Sequence, residues 1–361
     1  MDKEQKILPE VIFHVVNSVK GGSGKSTLSF FLASYYESRP DCKAFVIDLD
    51  LRGTSWENNY RLFLDEEQRN KLVYVDQLIY DYENYSAQEI FTRIPVKYKS
   101  IPGEEYDLSF NQYNVVEVCM SRPEYKGDVD EVEADLYESA VYHIIKYILE
   151  KRSWKYTYNP NTKRISSDLK SGIRQIHIIL DMPPSYEAHA EKIFKHLLLD
   201  RGSNLYYSGG IFEGYPPFKV ELIALSLPSP AHIESNNQYL YHLFQNQKLS
   251  SNLNKFIEDG RFSIIYAINN IPNDLSAVIT SDVISGLLVR FGRWPEIIWS
   301  SSNEKTNALF DEIKKYIIFN KHLALDSSQY YFMQSSPHGP VEITNDAFTL
   351  IHDGCFIKPR F

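Results

Sequence analysis

Residues 15–27 read VVNSVKGGSGKST, and the predicted fold is built outward from this stretch. A mostly apolar run precedes it, and residues 28–33 continue in the pattern of a helix with one apolar face. The glycines between them allow backbone N–H groups to point at an anion, and the start of a helix adds the positive end of its dipole. The stretch therefore predicts a phosphate-binding loop, with a glycine turn beside a solvated lysine as the alternative.

The two residues after the last glycine carry the chemistry of such a loop. Lys25 would reach the terminal phosphates of a nucleotide, and Ser26 would bind magnesium. The ordinary motif G-x-x-x-x-G-K-[ST] has a glycine at the position of Val19, which is followed here by Lys20. The loop thus departs from the ordinary motif at its first position.

The stretch KGGSGKS, which begins at Lys20, resembles the deviant Walker A loop of the ParA/MinD family of ATPases. The resemblance implies ATP and Mg²⁺ as cofactors, an ATPase reaction and a homodimer that forms on ATP binding. It also implies that Lys20 crosses the two-fold interface to the partner's nucleotide and adds positive charge at the transition state. The nucleotide-binding residues that the resemblance implies in the loop are Lys20, Gly21, Gly22, Ser23, Gly24, Lys25, Ser26 and Thr27.

Two further apolar runs end in aspartates. Residues 43–49, KAFVIDL, predict a buried parallel strand, and Asp48 and Asp50 at its end face the same side of an extended chain. Residues 175–184, QIHIILDMPP, predict a second strand that ends at Asp181. Carboxyl ends of parallel strands meet at the ligand crevice, so the three carboxylates are candidates for one magnesium-nucleotide site.

Both acidic segments resemble motifs of the same family. The first, IDLDLRGTS, has Leu-Arg where the family usually has Pro-Gln, which leaves the aspartates intact and makes the following loop unusual. The resemblance implies that Asp48 and Asp181 anchor Mg²⁺ through water, beside a direct bond from Ser26, and that Asp50 positions the attacking water. Together with the two loop lysines, Asp50 is therefore a predicted catalytic residue.

A third strand end offers a candidate contact for the base. Residues 262–268 predict a strand, and Asn269 follows it. The family has an asparagine after such a strand that reads the edge of adenine, and an amide supplies the donor and acceptor that adenine needs. The sequence leaves open an ordinary asparagine turn.

The alternation of apolar strands and amphipathic helices predicts an α/β fold. Its expected form is the three-layer sandwich of P-loop NTPases, with a mostly parallel central sheet and helices on both faces. One ATPase domain is predicted over residues 1–320, with atypical insertions at about 56–110, 150–174 and 201–218 and a small C-terminal appendage at 321–361 packed on it. Further elements predicted are helices over 56–71, 75–94, 274–291 and 303–318, a helix ending near 152, and strands over 114–120 and 219–227.

Residues 150–174 are rich in lysine and arginine, with tryptophan and tyrosine side chains between them. Basic groups beside aromatic rings suit a surface that follows a nucleic-acid backbone, so this segment is the candidate site for nonspecific DNA. A solvated hairpin between a helix and a strand is the alternative that is more common among proteins.

Composition excludes several classes of protein. The chain has 361 residues, of which 43% are hydrophobic, with 26 Tyr and 20 Phe, so it predicts a folded protein with a sizeable core. Its net charge of −9 argues against a protein that coats nucleic acid over its whole surface. The three cysteines are scattered, which argues against disulfides and zinc and favours a reducing compartment. No long apolar run occurs, so a cytoplasmic protein without a membrane segment is expected.

Three functions are compatible with these features. The resemblance favours a slow ATPase switch that dimerises on ATP and positions or segregates DNA or another cargo with an activating partner. A nucleotide-gated regulatory or scaffold protein, whose insertions recruit a protein partner without DNA, is the second. A kinase, synthetase or iron–sulfur relative is the third, although the scattered cysteines do not supply a cluster site.

Overall fold

The structure is a computed structural model. It describes residues 8–51, 56, 67, 70–81, 84–85, 89–99, 113–122, 134–151, 154–159, 161–162, 164–169, 172–184, 193, 213–227, 231–232, 235–236, 238–239, 256, 259–268, 317–319 and 341–344.

Eleven strands and three α-helices have both of their ends within these residues. The strands are β1 (Glu10–Asn17), β2 (Cys42–Asp48), β3 (Thr92–Lys99), β4 (Tyr113–Cys119), β5 (Trp154–Asn159), β6 (Arg164–Leu169), β7 (Gln175–Asp181), β8 (Lys219–Ser226), β9 (Phe262–Ile268), β10 (Ile317–Phe319) and β11 (Val341–Thr344). The helices are α1 (Lys25–Ser38), α2 (Val75–Asp81) and α3 (Ala134–Glu150).

All these strands belong to one sheet. Its main order is β10-β9-β8-β1-β7-β2-β4-β3-β11, and β5 and β6 extend from β4 as a hairpin. The central strands from β10 to β4 pair in parallel, whereas β3 runs antiparallel to β4. The predicted α/β fold with a mostly parallel sheet is confirmed.

Helices cover the two faces of the sheet. Helix α1 contacts strands β1, β2, β4 and β7 on one face. On the other face, side chains of α2 and α3 share a core cluster with alternate residues of the central strands, such as Phe45 and Ile47. The central strands are apolar along nearly their whole length because both of their faces are buried.

Five predicted strands are confirmed with nearly the predicted bounds. The runs at 43–49, 114–120, 175–184 and 219–227 form β2, β4, β7 and β8, and residues 262–268 form β9. Helix α1 ends before Pro40, as expected. The segment 150–174 contains the hairpin of β5 and β6 that was the alternative to a DNA surface.

The predicted helix over 75–94 is wrong beyond its first turns. Helix α2 ends at Asp81, and Thr92–Lys99 is strand β3. The segment TRIPVKYK alternates in the period of a strand, and its pairing with β4 buries Ile94. The predicted helix over 303–318 is also wrong at its end, because Ile317–Phe319 pairs in parallel with β9 as strand β10.

The C-terminal segment contributes to the main sheet. Val341–Thr344, predicted as part of a small appendage, pairs in parallel with β3 at the edge of the sheet. Among the helices that the structure describes, none is long and apolar enough to cross a membrane. Of the predicted helix at 56–71, the structure describes residues 56, 67, 70 and 71, of which the first three are helical. The predicted helix at 274–291 and most of the segment 201–218 lie outside the described residues.

Candidate nucleotide-binding site

The glycine-rich loop lies between β1 and α1, as the sequence predicted. Gly22 and Gly24 have φ angles of 76° and 92°, in the left-handed region that favours glycine. Gly24 is the N-cap of α1, and its carbonyl accepts the N–H of Leu28 at 2.9 Å. The space where a side chain of Gly21 or Gly22 would point is open, so the loop forms a shallow cradle in front of the helix start. Such a cradle fits an anion.

Two predicted aspartates stand side by side at the carboxyl edge of the sheet. Strands β2 and β7 pair in parallel, and their last residues, Asp48 and Asp181, are direct partners in the register. Both are buried. The sheet therefore brings together two carboxylates that are far apart in the sequence.

Asp48 is fixed by backbone groups around it. One carboxylate oxygen accepts the N–H of Asp50 at 3.1 Å, and the other accepts the N–H of Ser121 at 3.1 Å. The hydroxyl of Ser121 donates to the backbone carbonyl of Asp48 at 2.7 Å. Asp50 itself is half-buried, so its own carboxylate lies beside the site without being enclosed.

Lys25 lies among these carboxylates. It is 8% exposed, and burial lowers the pKa of its ammonium group. The negative charges of Asp181, Asp50 and Asp48, in decreasing order of effect, oppose that shift. The structure thus brings together Lys25 and the three predicted aspartates. The buried ammonium group of Lys25 therefore lies close enough to the three carboxylates for their charges to act on it.

Asp181 has a partner that the sequence did not predict. The indole N–H of Trp56 donates to Oδ2 of Asp181 at 2.6 Å. Burial raises the pKa of Asp181, and Lys25 followed by the hydrogen bonds of Trp56 and Ser26 oppose the shift. The other carboxylate oxygen, Oδ1, is buried and makes no hydrogen bond of ordinary geometry among the described residues.

The charge at this site fits a metal ion and a phosphate together. Among the described residues, the ammonium group of Lys25 lies near three carboxylates, so this part of the site carries more acidic than basic groups. Carboxylate and hydroxyl oxygens are the ligands that Mg²⁺ prefers, and Oδ1 of Asp181 is an oxygen still to be satisfied. The hydroxyl of Ser26 lies beside Asp181. Ser26, Asp48 and Asp181 could therefore hold Mg²⁺, while the open loop could hold phosphates.

Lys20 lies apart from this cluster. Its side chain is exposed, whereas Ser23 and Thr27 of the same loop are buried. Burial, followed by the positive charge of Lys20, lowers the pKa of His232. Lys20 thus differs from Lys25, the other lysine of the loop, which is buried.

Two further predicted sites remain, the adenine contact and the basic segment 150–174. Asn269, the candidate contact for adenine, lies outside the described residues. In the basic segment, Lys155 is buried and its ammonium donates to the carbonyls of Glu37 and Arg39 at 2.9 and 2.6 Å. Lys155 is therefore not available to a nucleic-acid phosphate.

Sequence reasoning missed three residues that shape the site. Trp56 bonds to Asp181, Ser121 bonds to Asp48, and Asn236 bonds to the backbone of the phosphate-binding loop. Ser121 follows the end of β4, so the rule that directed attention to the ends of parallel strands could have found it. Trp56 and Asn236 carry no such signal, because their contacts depend on tertiary structure.

No protein-family model matches the chain, and no curated protein matches its sequence. Similar solved structures include a ParA family ATPase from Chlorobium tepidum TLS, with 12% identity, a TM-score of 0.42 and coverage of 84% of this chain and 98% of that chain. A MinD from Pyrococcus horikoshii OT3, complexed with Mg-ADP, has 13% identity, a TM-score of 0.34 and coverage of 85% and 95%. The apo McdA of Cyanthece has 12% identity, a TM-score of 0.40 and coverage of 97% and 98%.

A phosphate-binding loop between β1 and α1, at the carboxyl edge of a mostly parallel sheet with helices on both faces, gives the chain the fold of a P-loop NTPase.

Proposed function

We propose that the chain is a Mg²⁺-dependent ATPase that dimerises on ATP binding and acts as a slow switch of the ParA type. The observation that carries this proposal is that Asp48 and Asp181 are paired beside Lys25, which follows the glycine-rich loop. Lys20, at the other end of that loop, is exposed. A site complete within one protomer would not need a second, outward lysine.

In phosphoryl transfer, each residue of the site would have a separate role that follows from its charge and polarity. Lys25 binds the β- and γ-phosphate oxygens, and Thr27 contributes a hydroxyl to the α-phosphate. Ser26, Asp48 and Asp181 hold Mg²⁺, which when bound supplies positive charge to the terminal phosphates. Asp50, half-buried at the end of β2, orients the attacking water.

Lys20 would act in the partner protomer. An exposed ammonium beside the phosphate cradle can neutralise charge on a nucleotide bound across a two-fold axis, which makes ATP part of the dimer interface. Asn269 would contact adenine. The cellular role that follows is positioning or segregation of DNA or another cargo, with a partner protein that stimulates hydrolysis in the cytoplasm.

The test separates dimerisation from binding. Sedimentation of the wild-type chain is expected to give a monomer with ADP and a dimer with ATP and Mg²⁺. Lys20→Ala is expected to lose the ATP-dependent dimer and to retain nucleotide binding, because Lys25 and the aspartates remain. A Lys20→Ala protein that dimerises normally with ATP would refute the role of Lys20.

Asp50→Ala supplies the opposite outcome. It is expected to dimerise with ATP and to hydrolyse it at a strongly reduced rate, since binding is intact and the water is not oriented. Unchanged turnover in this variant would remove Asp50 from the mechanism. The dimer that it traps is also the species in which to look for a cargo.

The second candidate is a nucleotide-gated scaffold that does not bind DNA. The burial of Lys155 favours it, because a basic side chain of the candidate DNA surface is used inside the protein. Salt-dependent binding of nonspecific DNA by the trapped Asp50→Ala dimer would favour the partition-type role. Indifference of that dimer to DNA would favour the scaffold.

A further inference from the structure

Asn236 connects the phosphate-binding loop to strand β8. It is 2% exposed and lies in a segment whose described residues, 231–232, 235–236 and 238–239, are helical. Its side-chain Oδ1 accepts the backbone N–H of Val19 at 3.1 Å, and its Nδ2 donates to the backbone carbonyl of Leu225 at 2.8 Å. One amide therefore joins the start of the loop to the end of a neighbouring strand.

The polarity of the two contacts fits an asparagine. The N–H of Val19 can only donate and the carbonyl of Leu225 can only accept, so the position needs one acceptor and one donor on a short planar group. The contact with Leu225 is buried and the contact with Val19 is partly buried, which makes the loss of either partner costly. This arrangement fixes the orientation of the amide and, through it, the position of Val19.

Val19 immediately precedes Lys20, and a second contact fixes the other side of that residue. The hydroxyl of Ser18 donates to the backbone carbonyl of Lys20 at 3.0 Å. Asn236 thus holds the peptide group between Ser18 and Val19, and Ser18 holds the peptide group after Lys20, while the Lys20 side chain stays exposed.

We propose that Asn236 is a positioning residue for Lys20: its amide holds the backbone of Val19 so that the lysine leaves the domain at a defined place. The inference rests on the proposed function, because it gives Lys20 a partner's nucleotide to reach. A lysine that acts across an interface needs a fixed backbone position, since a misplacement of its side chain by about 1 Å can lower the rate about a hundredfold.

The first measurement tests the contact itself and needs no activity. Amide hydrogen exchange at Val19 is measured in the full-length wild type, in Asn236→Ala and in Asn236→Asp. We expect exchange about tenfold faster in Asn236→Ala, which removes the acceptor, and partial protection in Asn236→Asp, which keeps the acceptor for Val19 but loses the donor to Leu225. Ser235→Ala is the matched control, because its hydroxyl bonds back to Ala231 within the same segment.

The second measurement tests the role. We expect Asn236→Ala to bind a fluorescent ADP analogue with less than about a threefold change in Kd, while kcat falls by about tenfold or more and the ATP-dependent dimer weakens. Asn236→Asp is expected to recover part of kcat. A residue with only a structural role would change ADP binding and turnover together.

Each result has one meaning. Normal exchange at Val19 in Asn236→Ala, or normal kcat and dimerisation in that variant, overturns the positioning role. A wild-type chain that neither dimerises with ATP nor hydrolyses it overturns the proposed function instead, while the exchange data still report on the contact. If Asn236→Ala does not fold, Asn236→Asp and Asn236→Ser carry the same comparison.

Discussion

Asp181 is the residue on which the acidic site depends most. It is buried beside Asp48, and of its two carboxylate oxygens one accepts the indole N–H of Trp56 at 2.6 Å. A charged acceptor in a buried place gains more from such a bond than an exposed one does. Trp56 also packs edge-on against Phe30 of α1, with ring centroids 6.0 Å apart. The indole thus stabilises the carboxylate and the helix that carries Lys25.

The substitution Trp56→Phe separates these two contributions. The ring packing is retained, whereas Asp181 loses a donor, so we expect the free energy of unfolding to fall by about 1–3 kcal/mol. Urea unfolding followed by circular dichroism measures this change. Trp154→Phe, in the half-buried start of β5, is the matched control and is expected to cost less. Equal losses in the two variants would show that the hydrogen bond to Asp181 contributes nothing.

Elements far apart in sequence are joined by a buried ion-pair network under the end of α1. The Lys43 ammonium of β2 lies 3.0 Å from Glu37 of α1 and 2.8 Å from Glu117 of β4. Lys155 of the hairpin approaches Glu37 at 3.5 Å, and Arg93 of β3 approaches Glu117 at 3.3 Å. These five side chains connect one helix to four strands.

Lys43 holds the centre of this network. We expect Lys43→Met to lower the free energy of unfolding by about 3–5 kcal/mol, because it leaves two buried carboxylates with fewer partners. Lys71→Met is the control: its pair with Glu67 has side chains that are 72% and 79% exposed, and it is expected to change stability by less than about 0.5 kcal/mol. A Lys43→Met protein as stable as the control would mean that the network does not stabilise the fold.

The same elements show what a sequence can and cannot predict. Strands β2 and β7 were predictable because an apolar run that ends in an aspartate signals both a buried parallel strand and its place at the ligand edge. The first three residues of strand β3 fall in a predicted helix, because the short alternation of this strand is decided by its pairing with β4. Lys155 looked like a surface cation, since its partners in α1 are more than a hundred residues away in sequence. Local pattern carries no information about such partners.

At the scale of the whole molecule, hydrogen bonds between polar side chains link the three central strands. His14 of β1 hydrogen-bonds to Glu221 of β8 at 2.7 Å and to His177 of β7 at 2.9 Å. Tyr36 of α1 stacks on His177, with ring centroids 3.5 Å apart. Burial, followed by the influence of His14, Arg39 and Lys155, lowers the pKa of His177 well below its ordinary value.

This lowered pKa predicts how the stability of the molecule depends on pH. As pH falls below the ordinary histidine pKa of about 6.5, the unfolded chain binds a proton at His177 before the folded chain does. The free energy of unfolding should therefore fall below that pH by up to about 1.4 kcal/mol per pH unit from this group, and not above it. Unfolding curves from pH 7.5 to 5 for the wild type and His177→Gln measure the difference.

The variant is expected to lose that part of the pH dependence. Parallel pH profiles for the wild type and His177→Gln would show that His177 takes up its proton equally in both states.

The position of β1 has a consequence for the synthesis of the protein. Both neighbours of β1 in the sheet come much later in the chain, since Glu10 pairs with Gln175 and Ile12 with Lys219. Contacts of such sequence separation form slowly, and during translation they cannot form until the later strands leave the ribosome. The glycine-rich loop is therefore made early but acquires its supporting strands only after more than half of the chain has been translated. Until then the nascent chain presents an apolar strand without a partner, which is the interval in which a chaperone would be of most use.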